Sequence, residues 1–98
     1  GQVFFSTTNP GYVRGEHFHI RKFERFCVVD GEGVIRIRKL GTDDVHEYTV
    51  SGNDIKIIDM PVLHTHNIEN TGKNTMITIF WISELYDENN PDTNFLMV

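Results

Sequence analysis

The stretch Gly11-Tyr12-Val13-Arg14-Gly15-Glu16-His17-Phe18-His19-Ile20-Arg21-Lys22-Phe23-Glu24-Arg25-Phe26-Cys27-Val28-Val29-Asp30-Gly31 decides how this chain is read. His17 and His19 are separated by one residue, and in a β-strand residues i and i+2 point to the same face. Glu24 follows five residues after His19, the wrong parity for an unbroken strand. A turn through Ile20-Arg21-Lys22-Phe23 removes the conflict and lets Glu24 open the next strand facing the same interior. His66, from a distant strand, would complete a set of three imidazole nitrogens and one carboxylate. Such a set suits a single borderline divalent ion: zinc, manganese, iron, nickel or copper. Four donors on one side of a barrel interior leave coordination positions open, as a catalytic rather than a structural metal requires.

The rest of the chain reads as β throughout. Strands are predicted over residues 3–7, 17–20, 25–30, 34–40, 45–50, 54–59, 66–69 and 75–82, rich in Val, Ile, Phe, Thr and Tyr. Glycine-bearing turns separate many of them, among them Asn9-Pro10-Gly11, Gly31-Glu32-Gly33, Ser51-Gly52-Asn53 and Asn70-Thr71-Gly72. Strands this short and this evenly spaced predict an all-β sandwich or barrel. In Val34-Ile35-Arg36-Ile37-Arg38 the arginines share one face and the isoleucines the other. The segment 75–82 turns apolar on both faces, which predicts a central or covered strand. The tail Phe95-Leu96-Met97-Val98 is too apolar to hang in water and is expected to dock on the barrel or on a second subunit.

At 98 residues the chain has room for one domain. Its single cysteine, Cys27, allows no intrachain disulfide and reads as a small buried hydrophobe. A net charge of −5 argues against nucleic acid as a partner. No segment reads as a membrane span or signal peptide, so the expected compartment is cytoplasmic. The opening Gly1-Gln2-Val3, without methionine, reads as a piece of a longer protein.

The spacings resemble the cupin superfamily. Its first motif is met by Gly11, His17, His19, Glu24 and Gly31, and its second by Pro61, His66 and Asn70, with Leu63 where glycine is usual. The resemblance implies a jelly-roll barrel and the metal ligands His17, His19, Glu24 and His66. A narrower similarity rests on Val28 to Val34, Pro61 to Asn70 and Asn90 to Leu96. There the chain resembles the C-terminal cupin domain of the CapF-like bifunctional capsular-polysaccharide enzymes. That resemblance implies that residues 1–98 are one cupin domain at the C-terminal end of a longer enzyme with an N-terminal reductase domain. It implies zinc, with manganese, iron or nickel as alternatives, a UDP-sugar substrate and a homodimer. The activity it implies is C3-epimerisation of a UDP-4-keto-6-deoxy-N-acetylhexosamine. The cupin ligand set also serves dioxygenases and decarboxylases, and a non-catalytic sugar-binding module would keep the same fold.

Epimerisation at C3 needs proton carriers. The candidates are His64, two residues before His66, with Lys22 and Tyr12 beside the first motif. Arg14 also flanks that motif, and Arg36 and Arg38 would grip a diphosphate if they faced the barrel mouth.

Overall fold

The computed structural model describes all residues from Gly1 to Val98 and contains strands without a helix. The strands are β1 (Gln2–Thr8), β2 (Val13–Phe18), β3 (Glu24–Asp30), β4 (Glu32–Lys39), β5 (Val45–Ser51), β6 (Ile57–Met60), β7 (His64–Asn70), β8 (Met76–Ile82) and β9 (Asn94–Phe95). They form two antiparallel sheets, β1-β8-β3-β6 and β5-β4-β7-β2-β9. Facing each other, these sheets make the jelly-roll barrel of the cupin fold. No helix is long and apolar enough to cross a membrane.

Alternation within the strands places the core. Phe26, Val28, Ile35, Ile37, Val50, Ile58, Met60, Ile68 and Met76 point inward and form one buried cluster, with Phe80 against it. The paired register Glu24↔Ile82, Phe26↔Phe80, Val28↔Thr78 runs along the barrel axis. So does Ile37↔His66, Ile35↔Ile68, Gly33↔Asn70. Glu24 and His66 therefore share one end of the interior, and the hydrophobic cluster fills the other. Asn70 closes the filled end: its amide donates to the carbonyls of Thr8 (2.8 Å) and Asn74 (2.9 Å) and accepts from the Gly72 N–H (2.9 Å). The asparagine of the second motif thus has a structural role here.

Several sequence expectations need correction. The strand predicted at 17–20 is instead Val13–Phe18, and His19 lies just beyond its end. The strand predicted at 54–59 is Ile57–Met60, with Asp54 in an isolated bridge to Ser51. The turn at Gly31 does not pair the strands it joins, because β3 and β4 belong to different sheets. It turns the chain from one sheet to the other at φ +88°. Cys27 faces outward and is half-buried rather than core. Leu63, where the motif has glycine, takes the glycine-like φ of 60°. It is held there by its N–H to the His19 carbonyl (2.8 Å) and its carbonyl to the Leu40 N–H (3.0 Å).

The apolar tail docks on the barrel, but through its backbone. β9 pairs with β2, the Leu96 N–H donates to the Glu16 carbonyl (2.9 Å), and Arg38 donates to the Met97 carbonyl (2.8 Å). Thr65 donates its hydroxyl to the Leu96 carbonyl. This strap explains why Thr65 and Asn67, on the outer face of β7, are buried.

A β-bulge in β2 sets the site. Gly15 pairs with Asn67 and His17 with His66, so Glu16 is the extra residue, at φ 58°. The extra residue reverses the alternation, and Arg14 and His17, three apart, both face inward. Glu16 is turned out, where its carboxylate accepts from the Asn67 amide (2.5 Å) and the Val98 N–H (3.0 Å). Gly15 makes the bulge possible: its φ is +99°, and a Cβ there would lie 2.7 Å from the His66 carbonyl oxygen. Gly15→Ala is expected to cost at least about 2 kcal/mol from the left-handed backbone and the clash together. Urea denaturation reads that loss, and an unchanged midpoint would mean that the bulge does not need glycine.

Candidate metal centre and its cavity

The open end of the barrel is a cavity of about 250 Å³. Phe4, Phe26, Ile68, Phe80 and Ile82 give it an apolar wall. Against that wall stand His17, His19, Glu24 and His66, whose donor atoms all lie within 4.8 Å of one another. The imidazole centroids are 4.8 Å apart for His17 and His66, 5.0 Å for His17 and His19, and 5.3 Å for His19 and His66. The four residues expected to converge do so, and they come from β2, the turn after it, the start of β3, and β7.

Their hydrogen bonding is incomplete in a particular way. His19 Nδ1–H donates to the Asp92 carbonyl (2.6 Å), which leaves Nε2 with its lone pair. That nitrogen contacts the Glu24 carboxylate. A lone pair facing a carboxylate oxygen is repulsive unless a proton or a cation lies between them. His66 is 2% exposed, and both of its ring nitrogens lack a hydrogen-bond partner. Buried polar atoms are nearly always paired, so orphans that converge on one point fit a divalent cation. Burial, with the charge of His17, lowers the His66 pKa to about 4, so the ring is neutral near neutral pH and one nitrogen keeps a free lone pair. Burial and His19 likewise lower the His17 pKa. Burial by itself would raise the Glu24 carboxyl, but the contact with His19 and the nearness of His66 and Lys22 outweigh it. The group is held below the usual carboxylate range.

The other sequence candidates separate sharply. Lys22 lines the cavity and is 6% exposed, and its ammonium sits 5.8 Å from the centroid of the Tyr86 ring. Arg14 also lines the cavity, at its exposed rim, donating to the Thr7 carbonyl (3.3 Å). His64 does not line it: its Nδ1–H is turned to the Val62 carbonyl (2.9 Å) at the start of β7. Tyr12 is 65% exposed and also lies outside. Arg36 is on the outer face of its sheet, paired with Glu47 (3.2 Å) and Glu69 (2.9 Å). Arg38 is spent on the carbonyls of Thr42 (3.1 Å) and Met97 (2.8 Å). Neither arginine reaches the mouth, because β4 points its isoleucines inward.

Sequence reasoning missed Tyr86, Thr93, Thr78 and Asp92. Tyr86 and Thr93 line the cavity from the polar tail, which has no periodicity to expose them. Thr78 lines its deeper part, and its hydroxyl is buried without a partner. Asp92 was legible only as part of a Pro-Asp turn signal.

Fold and site together define a cupin-type barrel with a three-histidine, one-glutamate centre at its open end. Residues 1–94 match the polysaccharide biosynthesis C-terminal domain family, and the chain belongs to that family. It is 36% identical over 93 residues to a UDP-2-acetamido-2,6-beta-L-arabino-hexul-4-ose reductase of Pseudomonas aeruginosa. That match takes in 95% of this chain and 25% of the relative, so the chain spans about a quarter of the length of the curated relative it matches. Among solved structures it is similar to the capsular polysaccharide assembling protein CapF of Staphylococcus aureus, with 49% identity and a TM-score of 0.98. All of this chain and 29% of that one are covered. The fold alone is shared with a dTDP-6-deoxy-D-glucose-3,5-epimerase of Legionella pneumophila, solved with dTDP-4-keto-L-rhamnose. There the identity is 18% and the TM-score 0.77, over 91% of this chain and 50% of that one.

Proposed function

We propose that this domain is a sugar-nucleotide epimerase that inverts C3 of a UDP-4-keto-6-deoxy-N-acetylhexosamine, a precursor of capsular or surface polysaccharide. The observation that carries this reading is the shared cavity. Four converging donors and a buried lysine face an apolar wall in a space of about 250 Å³. The Pseudomonas relative is named for a 4-keto UDP-sugar and the Legionella structure holds a 4-keto dTDP-sugar, which supports a substrate of that class.

The proton on C3 is α to the C4 carbonyl and therefore acidic. Its removal gives an enolate, and protonation from the other face inverts the centre. His17, His19, Glu24 and His66 would hold the divalent ion, zinc foremost and manganese, iron or nickel as alternatives. When bound there, such an ion would supply Lewis-acid polarisation of a carbonyl oxygen. The titratable groups lining the cavity are those four, Arg14, Lys22 and Tyr86. With the four committed as ligands and Arg14 a permanent cation, Lys22 and Tyr86 remain to carry protons. Arg14, at the rim, is placed to meet the diphosphate. The apolar wall excludes water from the enolate and accepts the deoxy face of the sugar.

The same reading makes the domain the C-terminal part of a longer enzyme whose other part is a reductase, as the name and length of the Pseudomonas relative support. The assembled enzyme is taken as a homodimer, supported by the exposed apolar face of Val3, Phe5 and Ile57 on the four-stranded sheet.

The test is incubation of the protein with the UDP-4-keto sugar in heavy water, followed at C3 by NMR. Deuterium should enter C3 at a rate that rises with added zinc and stops with chelator. Binding of the sugar without exchange at any metal loading would make the domain a sugar-binding module instead.

A further inference from the structure

We infer that Asp92 is a positioning residue that sets both His19 and Lys22 from the C-terminal strap. Its carboxylate accepts three consecutive backbone N–H groups of the turn between β2 and β3. Ile20 donates to Oδ1 (2.9 Å), and Arg21 (2.7 Å) and Lys22 (2.8 Å) donate to Oδ2. The carbonyl of the same residue accepts from His19 Nδ1 (2.6 Å). A single residue thereby fixes the ring of one cluster donor and the backbone of the cavity lysine, 73 and 70 positions away in the chain.

Both contacts from one residue require an unusual backbone. Asp92 has φ 54°, a region that aspartate tolerates better than other side chains apart from asparagine and glycine. The segment is braced on either side. Arg21 donates to the Asn90 carbonyl (3.1 Å) while its guanidinium grips Glu84 (2.7–3.1 Å). The Asn94 amide donates to the Phe18 carbonyl (3.3 Å). The turn 20–23 has no ladder hydrogen bonds of its own, so the carboxylate stands in for a partner strand. Without it the strap would lift, the Asp92 carbonyl would leave His19, and the ring would lose the bond that selects its Nδ1–H tautomer. Partners of this kind fix the orientation of a metal-ligating histidine and tune its affinity.

The part concerning metal rests on His19 being a ligand, whereas the part concerning the tautomer does not. Long-range proton–nitrogen NMR on chelator-treated protein reads the tautomer directly. Wild-type His19 should be fully protonated at Nδ1, Asp92→Ala should show a population protonated at Nε2 alone, and Asp92→Asn, which keeps the turn preference and one acceptor oxygen, should restore most of the wild-type pattern. In a cobalt titration Asp92→Ala should bind about 10–100-fold more weakly, with altered absorption bands. An unchanged His19 tautomer in Asp92→Ala overturns the inference whether or not metal binds. If Asp92→Ala does not fold, Asp92→Gly, which suits the φ of 54° but has no side-chain acceptor, takes its place, and an unchanged His19 tautomer there overturns the inference as well. A wild type with the expected tautomer that takes up no cobalt would sink the metal reading while the positioning of His19 stands.

Discussion

Replacing His66 with leucine is expected to abolish divalent-cation binding and C3 exchange together, while leaving the chelated protein at least as stable as wild type. The first half follows from position. His66 lies against both other imidazoles, at 4.8 and 5.3 Å between centroids, and no other side chain on β7 reaches the cluster. Loss of an outer partner of a metal ligand already costs about 10–100-fold in affinity, so loss of a ligand should exceed about 100-fold. The second half follows from the hydrogen-bond accounting. Each buried polar atom without a partner costs on the order of 1–3 kcal/mol, and His66 has two such nitrogens. Leucine is of similar volume, removes both, and packs against Phe26, whose ring lies 5.9 Å from the imidazole. A gain on the order of 1 kcal/mol would raise the melting temperature by roughly 4–8 °C for a domain of this size. Calorimetry with chelator and a zinc titration give the two readings. A large loss of stability without metal would show that His66 is a packing residue, and retained zinc affinity would remove it from the ligand set.

Lys22→Met should separate chemistry from metal binding in the opposite way. A general acid or base contributes about a hundred- to ten-thousand-fold to rate, and exchange at C3 is expected to fall by that amount. Zinc affinity should stay the same or rise, because a buried ammonium beside the donor cluster repels a dication. Lys22→Arg keeps the charge but cannot release a proton at ordinary pH, so it should not rescue the rate. Deuterium-exchange rates and metal content of the three proteins decide the matter. Wild-type exchange in Lys22→Met would place the proton carrier elsewhere in the cavity, with Tyr86 next to test.

Much of this was readable before any coordinates. The spacing of His17, His19 and Glu24 around a turn announced three donors on one interior, and alternation in β4 correctly put Ile35 and Ile37 inside and Arg36 and Arg38 outside. The same alternation, pursued one step further, already argued against those arginines at the mouth. It misled at His64, where parity with His66 pointed to a shared face. The strand begins there, and the ring turns to the Val62 carbonyl instead. Tyr12 and Tyr86 show the limit of proximity in sequence. The tyrosine beside the motif is outside the cavity, and the one that enters it comes from a tail without pattern.

Residue type, spacing and period-two alternation were enough to determine an all-β chain and to bring His17, His19 and Glu24 to one interior, because each is a local property of a strand or a turn. Tertiary structure alone decided the bulge at Glu16 that brings Arg14 and His17 to the same side, and the strap that delivers Asp92 to the turn before β3. It also put Lys22 in the lining of the cavity and left His64 and Tyr12 outside it. These outcomes depend on hydrogen bonds between residues up to 82 positions apart, such as that from Val98 to Glu16. Such bonds form only once the sheets have closed, and no local pattern records them.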